Sequence, residues 1–160
     1  MKTHAARKPE VARIVPETPV DDDLAVGMLI GRARTTVLTN LDAELEPFGL
    51  TGAQYAVLRN LVDATTATAA DLSRILHYDN GSMTRLLDRL EEKGFLRRER
   101  GKEDRRVVYL RLTPSGRALL LKLRVAAARV LTRHLAGFSA QEIDALKQYL
   151  NRMIENGQPE

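Results

Sequence analysis

The chain has 160 residues, with 25 Lys+Arg against 21 Asp+Glu, a net charge of +4, and no cysteine or tryptophan. That length supports one domain, with or without an appended helical piece, and 44% hydrophobic with 29% charged residues is a globular composition. The missing cysteines exclude disulfides, thiolate metal sites and thiol chemistry. No apolar run approaches the roughly 18 residues of a membrane span, and Met1–Pro9 lacks a secretory core, so a cytoplasmic protein is expected.

Residues 1–20 hold three prolines and little periodicity and read as a flexible arm. Asp21–Asp23 suits the positive end of a helix dipole. From Leu24 apolar residues recur at spacings of three and four (Ile30, Ala33, Val37, Leu41, Leu45) until Glu46-Pro47 stops the helix. Thr51 and Gln54 form a capping box, with Leu50 and Tyr55 as its hydrophobic staple, which predicts a second helix over 52–62 with Val57, Leu58 and Leu61 inward. Thr65–Thr68 is a polar connection. A third helix over 69–77 carries Leu72, Ile75 and Leu76. Asp79-Asn80-Gly81 then breaks the pattern, and Asp79 caps a fourth helix with Met83, Leu86, Leu87 and Leu90 on one stripe and Gly94 at its end. Two helices so joined predict a helix-turn-helix.

After Gly94 the period becomes two. Val108, Leu110 and Leu112 alternate with Val107, Tyr109 and Arg111, pairing with 95–100 across the basic turn 101–106. Thr113-Pro114 opens a long fifth helix to Leu135, with Leu119, Leu120, Leu123, Ala127, Val130 and Leu131. Ser139/Glu142 with Phe138/Ile143 open a sixth, which carries Ile143, Leu146, Leu150 and Met153.

Charge is not spread evenly. Between Arg85 and Arg117 lie 11 basic and six acidic residues, a net +5 in 33 residues, which leaves −1 for the rest. A charge run is ordinarily a solvated face. Next to a helix-turn-helix, a basic hairpin instead makes a winged helix-turn-helix, whose second helix enters a major groove while the wing reaches the adjacent minor groove. Candidate DNA-binding residues are Asn80, Gly81, Ser82, Thr84 and Arg85 on the first turns of the fourth helix, and Arg89, Arg98, Asp104, Arg105 and Arg106. Gly81 admits close backbone approach or is a turn residue. Arg89 contacts a phosphate or pairs with a nearby carboxylate, and Asp104 holds the Arg106 guanidinium extended or makes a plain surface pair. Arg34 lies on the apolar stripe of the first helix and needs either a carboxylate or an anionic ligand. Tyr55 offers an aromatic wall or packs in the core, and His134 is a further ligand candidate. His4, His77 and His134 show no triad or metal-ligand spacing and there is no glycine-rich phosphate loop, so neither an enzyme nor a cofactor is expected.

Asp104–Gly116, with Leu112-Thr113 and Gly116, resembles the Asp-x-Arg-x5-Leu-Thr-x-x-Gly wing signature of MarR-type regulators. Gly49-Leu50-Thr51, Met83-Thr84-Arg85-Leu86 and Asp88–Phe95 match the same family in order and spacing, over about Leu24 to Glu155. The chain departs from the pattern at the turn, where Asn80-Gly81 stands in place of a proline-containing step. The resemblance implies a homodimer in which helical regions 21–48 and 114–157 intertwine and 49–113 is the DNA-binding lobe. The apolar surface of the fifth and sixth helices, more than one lobe can cover, agrees independently. It further implies a repressor on a pseudo-palindromic operator, released by a small phenolic or aromatic carboxylate. The competing expectation is a winged-helix protein-interaction module without DNA binding.

Overall fold

Short polar side chains set the helix ends of this protein. The structure is a computed structural model and describes residues 19–62 and 67–157. Of the arm expected over 1–20, Pro19 and Val20 are helical and the rest lies outside the described residues, as do Thr65 and Thr66 of the expected connection. The element order is α1 (Pro19–Leu45), a 3-10 turn (Glu46–Phe48), α2 (Gly52–Asn60), α3 (Ala69–Leu76), α4 (Asn80–Glu92), β1 (Leu96–Arg100), β2 (Val108–Leu112), α5 (Pro114–His134) and α6 (Ala140–Asn156).

Both expected capping boxes form. The Gln54 N–H donates to Thr51 Oγ1 at 3.3 Å and the Thr51 N–H to Gln54 Oε1 at 3.1 Å, and Ser139 and Glu142 repeat the exchange at α6. A third box, Thr68/Asp71, opens α3. Asp79 caps α4, its Oδ1 accepting from the Ser82 N–H at 2.8 Å. Gly94 follows α4 at φ 71°, a left-handed turn that costs glycine nothing.

The chain divides into two compact units, residues 1–35 and 36–160, with α1 spanning the boundary. In the first, the α1 side chains Leu24, Val26, Met28 and Leu29 are 44–65% exposed. In the second, one core joins Leu41 and Leu45 of α1 to Val57, Leu58 and Leu61, to Leu72, to Met83, Leu87 and Leu90, and to Leu96, Leu110, Leu112, Leu120, Leu123 and Val130. The inward residues expected for α2 and α4 are thus buried, Leu86 only partly. Ile75 is not inward: it is 49% exposed on α3, and Leu131 of α5 is 48% exposed. Val108, expected to face the core, is 39% exposed at the outer end of β2, beyond the reach of the helices.

Strands β1 and β2 pair antiparallel, Leu96 opposite Leu112 and Arg100 opposite Val108. A backbone bond from the Leu110 N–H to the Ala67 carbonyl, 2.9 Å, ties the free side of β2 to the residue preceding α3's cap. At the root of the hairpin, the Thr113 and Ser115 hydroxyls both donate to the Gly94 carbonyl, at 2.6 and 2.8 Å, while the Thr113 N–H donates to Phe95 O. Gly116 packs so tightly on Phe95 that a Cβ would overlap its carbonyl oxygen. The Leu-Thr-Pro-Ser-Gly stretch therefore joins α5 to the end of α4 and the start of β1. Glu44 of α1 accepts from Arg129 and Arg133 of α5, at 3.0 and 2.9 Å.

Candidate nucleic-acid interface

The turn between α3 and α4 is His77-Tyr78, with His77 left-handed at φ 54°. Asn80 and Gly81 are the first residues of α4, behind the Asp79 cap as expected. The hydroxyl and N–H of Ser82 hold the Asp79 carboxyl below the ordinary carboxylate range, aided by the charge of Arg85, so the cap stays ionised. Asn80, Gly81, Thr84, Arg85 and Arg89 are exposed and Ser82 half-buried. The exposed Thr84 hydroxyl donates to Asn80 O at 2.8 Å. Arg85 rests on Ser82 Oγ at 3.0 Å. Arg85 and Arg89, with Tyr78, Ser82, Leu86 and Ala53, line a shallow cavity of about 210 Å³. Tyr78 was not expected there; the signal was an aromatic immediately before the cap of the basic helix.

At the wing, Arg105 and Arg106 are exposed. Asp104 does not hold the Arg106 guanidinium: its Oδ1 accepts the Arg106 backbone N–H at 2.8 Å, so it shapes the turn. The Val107 N–H donates to Asp104 O and the Gly101 N–H to Val107 O, closing the tip. No ion pair engages Arg85, Arg89, Arg105 or Arg106 among the described residues.

Arg98 departs from expectation most. It is engaged with α4 while still partly open to solvent, its Nη2 2.7 Å from Asp88 Oδ1, its Nη1 on Glu91 Oε2 and its backbone N–H on Glu91 Oε1 at 3.0 Å. Partial burial works against its charge, but the two carboxylates more than offset that and raise its pKa. Lys93, also unexpected, donates from Nζ to Gly49 O.

Each of the three ligand candidates has its own surroundings. Arg34 is exposed in this chain and so is not a buried charge in need of a partner. Tyr55 is half-buried against the core, and His134 Nε2 is taken by Asn40 Nδ2 at 2.9 Å. Another cavity of about 210 Å³ lies between Val62 and α5, lined by Leu120, Leu121, Arg117 and Arg124. No cluster suited to a metal ion exists among the described residues.

A family model described as the MarR family matches residues 50–108, the span from the α2 cap to β2. The multiple antibiotic resistance protein MarR of Escherichia coli is 31% identical over 115 residues, covering 71% of this chain and 80% of that protein. The chain belongs to the MarR family. The multiple antibiotic resistance protein MarR of Salmonella typhimurium is 29% identical over 127 residues, 79% of this chain and 86% of that protein. Among solved structures, a mutant E. coli MarR complexed with operator DNA superposes with a TM-score of 0.75 at 27% identity, covering 86% of this chain and 99% of that one. BldR from Sulfolobus solfataricus shares the fold, at a TM-score of 0.80 and 21% identity over 87% and 99% of the two chains. The architecture is accordingly a MarR-type winged helix-turn-helix, and the chain is a transcriptional regulator rather than an enzyme.

Proposed function

We propose that the protein is a homodimeric, sequence-specific DNA-binding repressor of the cytoplasm, reading a pseudo-palindromic operator with half-sites about one helical turn apart. One observation carries the reading: exposed guanidinium groups engaged in no salt bridge among the described residues stand at both the capped start of α4 (Arg85, Arg89) and the wing tip (Arg105, Arg106). In this reading Arg85 forks onto a guanine edge or a phosphate, with Asn80, Gly81, Ser82 and Thr84 close to base edges. Arg89 meets backbone, and Arg105 and Arg106 lie in the minor groove. Arg98 and Asp104 act by holding the wing, not by touching DNA. That the superposed E. coli MarR structure is a complex with operator DNA supports DNA as the partner.

A second copy would cover the apolar side chains left bare on α6 and those of Leu24, Val26, Met28 and Leu29 on α1. Release by a small aromatic carboxylate is supported by the cavity of Val62, Leu120, Leu121, Arg117 and Arg124, whose apolar walls and two guanidinium groups suit that chemistry. The test is titration of a labelled duplex, enriched by this protein from a random-sequence pool. Arg106→Ala should weaken binding at least about tenfold with thermal stability and dimer unchanged. Affinity should fall steeply with salt, by a log–log slope that Arg89→Ala reduces by about one. Unchanged affinity in Arg106→Ala would remove the wing from the reading, and failure to enrich any duplex would leave a protein-interaction module. Benzoate that leaves affinity unaltered would remove the ligand.

A further inference from the structure

Two carboxylates beside a DNA-reading helix need an explanation, because each repels the phosphates that the surface is meant to attract. Asp88 and Glu91 lie three residues apart on α4, hence on one face, and both bind Arg98 of β1. The cluster carries a net −1, and its guanidinium has both terminal nitrogens engaged, with the side chain 31% exposed. It is therefore poorly suited to hold a phosphate. It does make three bonds between the wing's first strand and the reading helix, all to carboxylate oxygens and so charge-assisted.

We propose that Arg98, with Asp88 and Glu91, is a positioning device that fixes the wing's direction relative to α4, so that Arg106 and the start of the helix meet neighbouring grooves together. The inference rests on the DNA-binding reading. Two linked contacts gain strength from each other only while their separation matches the two sites they bind, so loosening the link lowers affinity without removing any contact.

The sign of one substitution decides. Asp88→Asn removes a negative charge from the reading face, and by charge alone it would tighten binding. As part of the clamp it should weaken binding to the enriched duplex about threefold to tenfold, as should Arg98→Ala. Neither should change the salt slope, and the pair together should be no worse than Arg98→Ala alone. In the Arg106→Ala background both should have no further effect, since only the wing's placement is at stake, whereas general loosening of the lobe would still add. Arg98→Lys should restore part of the loss. Melting curves of each variant establish that it is folded.

Tighter or unchanged binding by Asp88→Asn overturns the inference, and so does a salt slope lowered by about one in Arg98→Ala, the mark of a direct phosphate contact. If the unmodified protein enriches no duplex, the DNA-binding reading falls and takes this with it. If it does enrich one and Asp88→Asn binds it more tightly, only the positioning role fails.

Discussion

Gly116 illustrates a residue whose absence of side chain does the work. The first turn of α5 lies against Phe95, and no space for a methyl group exists between them. Gly116→Ala must push helix and strand apart, and overpacking of this kind costs about 1–3 kcal/mol, more where the obstacle is backbone. We expect a loss of about 3 kcal/mol, measured by urea unfolding, with the wing's amide protection reduced first. A loss under about 0.5 kcal/mol would mean that the contact relaxes freely. The glycine was visible in the sequence as part of a signature, but its reason was not, because Phe95 lies 21 residues away and only folding brings them together. The same holds for Arg98. Its type and its basic surroundings suggested DNA, while its partners, seven and ten residues back across a turn, gave it another task.

At the scale of elements, boundaries were legible wherever the signal is local. The boxes Thr51/Gln54 and Ser139/Glu142 and the Asp79 cap each span three residues, a separation that needs no tertiary information. The Thr68/Asp71 box is harder to see because aspartate takes the place usual for glutamate or glutamine. Inward faces were less secure. Ile75 fits the helical period of α3 yet is exposed, since a short helix between α2 and α4 buries only a narrow stripe.

Asp79 also makes a pH prediction. Folding lowers its pKa, so its contribution is full above the ordinary value of 3.8 and drains away as pH falls through the lower folded value. Asp79→Ala should lower Tm by about 2–4 °C at pH 7, and the gap to the unmodified protein should close near about pH 2. A gap that persists in acid would show that the side chain matters by packing rather than as a charged cap.

At the scale of the molecule, the distribution of bare apolar surface is the main fact. On α6, Leu146, Tyr149, Leu150, Met153 and Ile154 are 37–61% exposed, and that helix buries no residue in this chain. Such a stripe on one helix is an interface in waiting. Leu150→Asp should turn the proposed dimer into a monomer by sedimentation at micromolar concentration, and weaken operator binding through loss of the second lobe. Sedimentation as a dimer in this variant would move the interface elsewhere. The net charge of the whole chain conceals the arrangement: the fold gathers the surplus onto one helix start and one hairpin, and two acidic residues of α4 are both bound by Arg98.

The junction at Thr113–Gly116 has a mechanical consequence. Hydroxyls on the Gly94 carbonyl, a backbone bond to Phe95 and a glycine without clearance leave α5 no hinge where it meets the reading lobe. A tilt of α5 should therefore carry the end of α4 and the start of the wing with it, because those are the residues to which its first turn is bonded. Small rotations near the axis become larger displacements at Arg85 and Arg106, so distance along the arm is what amplifies the signal.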